Sequence, residues 1–270
     1  MLRLKGVTKT FLAGTVNERH ALSSVDLEVT DGDFCTIVGS NGAGKSTLFN
    51  VIAGTLYPDQ GYVELDGEDI TFMAEHARAR RIGRLFQDPL LGTAPHMSIQ
   101  ENLSVAYLRA QHGVGHVFSR ISRADKSLFR EQLSRLDMGL EDRMGQPVGL
   151  LSGGQRQALT LLMATIVVPR VLLLDEHTAA LDPATADKVL ALTREIVSER
   201  DITCLMITHN MHQALDMGTR TLMMEGGRVI LDVSGAEREG MGVDDLLAAF
   251  AAQAGSEFDN DRVLLSTATE

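Results

Sequence analysis

The spacing of apolar and polar residues changes character several times along the chain. "LRLKGV" and "DLEVT" alternate with a period of two, as strands with one buried face do. "FCTIVG" is continuously apolar, the pattern of a strand covered on both faces. The next stretch, "KSTLFNVIAG", switches to helical spacing and closes on Gly54. "GYVELDG" reads as a further edge-type strand and "IGRLFQ" as another, ending at Gln87. From Asp88 to about Val168 the pattern is mostly helical, with breaks at Pro95, Gly113–Gly115 and Gly145–Gly149. Strand patterns return in "VLLLD", "ITCLMITH" and a hairpin, "RTLMMEGGRVILD", turning at Gly226-Gly227. From Ser234 the tail is expected to hold one helix, "VDDLLAAFAAQ", and then a polar end. The expectation is an α/β chain in which residues 88–165 form a helical block inserted between strands of one sheet. Residues 1–87 and 166–233 then make the core, and 234–270 a C-terminal helix and tail.

Composition narrows the function classes. At 270 residues the chain is long enough for one large or two modest domains. No apolar run reaches the roughly 18 residues that a membrane helix needs. The start, "MLRLKGVTKTF", has no apolar segment behind its basic residues, so no secretory signal is expected. Cys35 and Cys204 each lie in an apolar strand-like run and are expected to be buried, reduced thiols. With 25 basic against 36 acidic residues the net charge is −11, which disfavours nucleic acid as a partner.

The chemistry begins at "GSNGAGKST", Gly39 to Thr47, between a predicted strand and a predicted helix. This is the G-x-x-x-x-G-K-[ST] pattern. Gly39, Gly42 and Gly44, with Ser40, Asn41 and Ala43, let backbone N–H groups turn inward around phosphate oxygens, and the helix N-terminus that follows adds its positive end. Lys45 is placed to reach the outer phosphates, and the Ser46 hydroxyl, beside Thr47, to ligate Mg²⁺. A magnesium nucleotide also needs a carboxylate. "VLLLDE" supplies Asp175 for the metal and Glu176 as a general base towards the attacking water, although an Asp-Glu pair also suits a solvated helix start. His209 and Gln87 end two other predicted strands, the edge at which ligands bind in such sheets. A second glycine step, "LSGGQ" (Ser152, Gly153, Gly154, Gln155), opens a helix and has the same anion-binding character.

Taken in order, these motifs resemble those of the ATPase subunit of ABC transporters, from about Leu2 to Asp232. "GSNGAGKST" is similar to the Walker A loop, "LFQDP" to the Q-loop, "LSGGQ" to the signature, "VLLLDE" to Walker B, "AALD" (ending at Asp182) to the D-loop and "ITH" to the switch histidine. Phe11 stands where that family places an aromatic that stacks on adenine, and it equally suits a core position. The resemblance implies a P-loop (RecA-like) core with an antiparallel β subdomain and an inserted helical signature subdomain. It implies ATP and Mg²⁺ as cofactors, and hydrolysis coupled to transport. It also implies a head-to-tail pair of ATPase subunits, each signature facing the γ-phosphate held by the other chain. Separate permease subunits would dock through cytoplasmic coupling helices, with "DPLLGTAPHMSI" forming the receiving groove. Leu90, Leu91 and Met97 there suit either a partner or the subdomain core. Peripheral attachment to the cytoplasmic face of the membrane follows from the same resemblance.

Import is favoured because no membrane span is fused to the chain and "DRMGQPVGL" lacks the Glu-Arg-Gly element common in exporters. "DEHTAALDP" resembles ATPases of bacterial small-molecule importers, which implies an amino-acid-like substrate and an extracytoplasmic binding protein. The competing readings are an exporter motor and a soluble ABC ATPase acting on DNA or ribosomes. His177 departs from the usual Asp-Glu-Pro-Thr; it is read as a turn filler, against the alternative of a titrating group. His112 and His116 in "HGVGH" are not expected to bind metal, since Gly113 and Gly115 spoil the helix that would aim both.

Overall fold

The computed structural model describes residues 1–110 and 121–254; His112 and His116 lie outside the described residues. In chain order the elements are β1 (Leu2–Phe11), β2 (Arg19–Val29), β3 (Phe34–Gly39), α1 (Lys45–Ala53), β4 (Gln60–Leu65), β5 (Glu68–Asp69), α2 (Glu75–Arg78) and β6 (Ile82–Leu85). They continue as α3 (Ile99–Ala110), α4 (Arg123–Ser134), α5 (Gly153–Thr165), β7 (Val171–Asp175), α6 (Pro183–Glu199), β8 (Thr203–Ile207) and α7 (Met211–Met217). The described chain closes with β9 (Arg220–Glu225), β10 (Arg228–Ser234), α8 (Gly235–Arg238) and α9 (Val243–Ala254). The chain divides into two compact units, Met1–Arg78 with Thr203 onward, and Ala79–Ile202.

The first unit holds two groups of strands. β2, β1, β4 and β5 form an antiparallel sheet in that order, with Leu2 opposite Val29 and Leu4 opposite Leu27. Those four residues are buried and their chain neighbours Arg3 and Glu28 are not, which is the alternation read from the sequence. In the second group β3 is central, parallel to both β8 and β9, and β10 pairs antiparallel with β9. Every residue of β3 is buried, as its continuous apolar run requires. Cys35 and Cys204 are free, buried thiols, and burial pushes the Cys35 thiol up to about 12. The hairpin between β9 and β10 turns at Gly226 and Gly227, both with positive φ (51° and 76°), as a tight turn of that hand demands.

Helix α1 packs through Leu48, Phe49, Val51 and Ile52. Its C-terminus is held by Arg78, whose guanidinium is buried and donates to the carbonyls of Val51, Ile52, Thr71 and Met73 at 2.7–2.9 Å. Neither α2 nor the two-residue β5 was expected; each is too short to leave a periodic signal. On β9 and β3, Met223 and Val38 pack with Met211 and Ala214 of α7 and with Leu246 and Phe250 of α9. The expected tail helix therefore packs on α7 and the β3–β9 strands.

In the second unit β6 and β7 pair in parallel, Ile82 opposite Val171 and Leu85 opposite Leu174. The helices of the expected helical block belong to this unit. Ser122 and Asp125 form a capping box at the start of α4, and Tyr107 of α3 meets Phe129 edge-on at 5.6 Å. The expected breaks at Pro95 and Gly145–Gly149 meet each other: Gly149 N–H donates to Pro95 O, and Ser98 bridges Pro147. Among the described residues no helix is long and apolar enough to cross a membrane.

Candidate functional site

In the first unit the loop from Gly39 to Gly44 has three positions whose backbone favours glycine. Gly39, Gly42 and Gly44 have φ of 148°, 87° and 103°. A Cβ at Gly39 would lie 2.1 Å from Met224 O, and one at Gly44 2.3 Å from Ala21 O. The loop thus wraps against β9 on one side and β2 on the other. Lys45, at the first turn of α1, is buried; its ammonium donates to Gly39 O at 2.7 Å and Ser40 O at 2.9 Å, back across the loop. Ser40 donates to Glu225 at 2.5 Å. Asn41, Gly42 and Ser46 are exposed, Thr47 half-buried and Ala43 buried.

His209 reaches the same edge. Ile37 lies opposite Ile207 and Thr208 N–H donates to Ile37 O at 3.2 Å, so Gly39, the last residue of β3, and His209 each stand two residues beyond that pair. The turn carrying His209 is fixed by Asn210, which caps α7 by accepting from Gln213 N–H, and by Thr208, whose hydroxyl accepts from Asn210 N–H. Phe11, half-buried at the end of β1, lies opposite Arg19 in β2, and Arg19 donates to Gly42 O at 3.0 Å.

In the second unit the register again aligns the chemistry. Leu85 faces Leu174, so Gln87 and Glu176 each stand two residues beyond paired positions. Glu176 has φ of +46°, a left-handed conformation uncommon for a residue other than glycine and of the kind that concentrates at functional sites. Asp175, only 14 % exposed, lies 3.6 Å from the Arg84 guanidinium of the adjacent strand. His177 is buried, and its Nε2 lies 3.3 Å from Thr193 Oγ1. That hydroxyl gives its proton to Val189 O at 2.7 Å, so the contact requires the Nε2–H tautomer of a neutral ring. Burial without a compensating charge pulls the ring's pKa down to about 4.

"LSGGQ" forms the start of α5. Ser152 accepts from Gln155 N–H at 3.3 Å while the Gln155 amide oxygen accepts from Ser152 N–H at 3.2 Å, a capping box. Asp182 caps α6 by accepting from Thr185 N–H at 3.1 Å, and the bonds from Thr185 hold its carboxyl below the usual carboxylate range. The two helix starts touch: a Cβ on Gly154 would lie 2.1 Å from Thr185 Cγ2, and one on Gly153 3.3 Å from Leu181 Cδ2.

Residues 22–179 match the ABC transporter family, more than half of the chain. The chain belongs to that family. Over 250 residues it is 41 % identical to a tyrosine transport ATP-binding protein of Clostridioides difficile, covering 93 % of this chain and 98 % of that one. It is 33 % identical to a phosphonates import ATP-binding protein of Thiobacillus denitrificans, covering 87 % and 88 %. Among solved structures it superposes on a dimeric ATP-binding cassette in a post-hydrolysis state bound to ADP and Pi, with a TM-score of 0.74 and 28 % identity, covering 87 % and 98 %. The expected α/β fold and the ATPase activity of an ABC transporter subunit are thereby established for this chain.

Several residues of this ABC cassette escaped the sequence reading. Arg19, Arg84 and Thr185 carry no motif, and their partners Gly42, Asp175 and Gly154 stand 23, 91 and 31 positions away. For Arg84 the available signal was a charged residue in an otherwise apolar strand next to Gln87.

Proposed function

We propose that this chain is the motor subunit of a bacterial importer for a small, amino-acid-like molecule, peripheral on the cytoplasmic face of the membrane. In this reading residues 88–165 are the signature-bearing subdomain inserted in the 1–87 and 166–233 core. The observation that carries the nucleotide assignment is the glycine loop itself: three positive-φ glycines with Lys45 lying across them leave the cradle's inner face to backbone N–H donors. Lys45 exchanges its two carbonyl partners for phosphate oxygens when ATP enters. Ser46, Gln87 and Asp175 offer hard oxygen donors, the set that suits Mg²⁺ and not a soft metal. Bound there, the ion would neutralise charge on the phosphates. Glu176 accepts a proton from the attacking water, and His209 donates to the γ-phosphate.

The importer reading rests on the relatives, one named for tyrosine transport and one for phosphonates import. Exposed Leu90 and Leu91, three and four residues after Gln87, support docking of a permease coupling helix there. A separate extracytoplasmic binding protein supplies the substrate.

Two copies pair head to tail, so that Ser152, Gly153, Gly154, Gln155 and Asp182 of one serve the nucleotide on the other's loop. Mixing inactive Lys45→Ala with inactive Ser152→Arg tests this. Each pure dimer has two damaged sites, whereas a mixed dimer has one intact site and one doubly broken. Recovered hydrolysis or ATP-dependent closure in linked mixed dimers is expected. Neither appearing, while mixed dimers form, contradicts sharing between two copies of this chain.

A further inference from the structure

We propose that Arg19 is a nucleotide-binding residue of this chain, contributing its guanidinium to the phosphate chain beside the glycine cradle. The proposal rests on the ATP site placed at Gly39–Thr47 and adds to it a cation that no motif predicts.

Arg19 opens β2, directly opposite Phe11 at the end of β1. From that position its Nη2 donates to Gly42 O at 3.0 Å. The guanidinium meets the loop through this nitrogen: a Cβ on Gly42 would be 2.5 Å from Nη2 and 3.6 Å from Cζ. One group therefore touches the cradle while its strand partner is Phe11, which stands where the family resemblance implies an aromatic stacked on adenine. Along a nucleotide, what lies between base and outer phosphates is ribose and phosphate oxygen.

The charge state fits a ligand. A guanidinium carries five N–H donors and is always charged. The Gly42 carbonyl takes one donor and neutralises none of the charge. The nearest carboxylate in sequence, Glu18, is engaged elsewhere, accepting from Gly14 N–H at 2.6 Å and lying 3.3 Å from His20 Nε2. Among the described residues Arg19 has no carboxylate partner. It is exposed, as are Asn41 and Gly42 beside it, so a phosphate can reach it without rearrangement. The carbonyl bond orients the fork and lowers the entropy lost when it closes on an anion.

A purely structural Arg19, serving only to tie β2 to the loop, needs a donor and no charge. Arg19→Gln keeps a donor and removes the charge, and Arg19→Lys keeps the charge and loses the fork. ATP dissociation constants for these variants, the wild type and Lys45→Ala, measured by calorimetry across a salt series, separate the cases. An exposed charge-assisted contact predicts that Arg19→Gln weakens ATP binding about tenfold. The variant should also show a shallower dependence of binding on salt, and Arg19→Lys should lose less. Wild-type affinity and salt slope in Arg19→Gln overturn the proposal. Undiminished ATP binding by Lys45→Ala would instead show that the cradle itself is misplaced, and the Arg19 assignment would fall with it.

Discussion

Replacing His177 by Asn tests whether the residue that departs from the usual Asp-Glu-Pro-Thr is a pH sensor or a buried neutral group. The ring is 3 % exposed and donates from Nε2 to Thr193 Oγ1, and its pKa is depressed from 6.5 to about 4 by burial alone. The folded state therefore binds its proton later than the unfolded state as pH falls. Stability is fully present above pH 6.5 and is lost progressively between pH 6.5 and about 4. At about 1.4 kcal/mol for each pH unit, the interval corresponds to roughly 3 kcal/mol. Denaturant unfolding at several pH values should show the wild type losing about that much more than His177→Asn between pH 7 and pH 4. ATP turnover of the two proteins should follow the same pH profile from pH 6 to 8, where the ring stays neutral. Parallel stability curves, or an acidic limb near pH 6.5 lost in the variant, would refute the reasoning.

Gly154→Ala places a methyl 2.1 Å from Thr185 Cγ2 and should cost about 1–3 kcal/mol in denaturant unfolding, with Thr185→Ser restoring most of it; additive effects of the two substitutions would deny the contact. Arg78→Ala removes the donor to four carbonyls and should destabilise by about 3 kcal/mol or more, Arg78→Lys by less, and a change under about 1 kcal/mol would mean that water replaces the guanidinium. Lys45→Ala should reduce ATP affinity while leaving the thermal midpoint of the nucleotide-free protein within a few degrees. Unaltered affinity would argue against the cradle.

What the sequence made legible was what is encoded locally. The buried run of β3, the glycine spacing of Gly39–Gly44 and the turn at Gly226-Gly227 are short-range patterns, and each corresponds to an observed element. Strand ends are less sharply encoded: Asp175 ends β7 as its pattern implies, whereas β6 and β8 stop at Leu85 and Ile207, two residues short of Gln87 and His209. Contacts across long separations left no such trace. Gly154 reads as part of an anion-binding step, yet its hydrogen is also required by Thr185, 31 positions away. The capping box of Ser152 and Gln155 shows the same double use, since both side chains close the first turn of α5 in the free chain. Short elements such as β5 and α2 are made by the fold around them: Asp69 accepts from Thr71 N–H, and Arg78 anchors the helix end. Nothing in their own residues sets them apart from a loop.

In the proposed reading the chain hydrolyses ATP with the carboxylate of Glu176 as base and the glycine loop as cradle. The most direct measurement is phosphate release by Glu176→Gln beside calorimetric ATP binding to the same protein. The substitution keeps the size of the side chain and removes only its basicity. Turnover should fall by at least a hundredfold with ATP affinity retained, and ATP should then hold the variant as a dimer on size exclusion. Phosphate release at the wild-type rate would exclude Glu176 as the base.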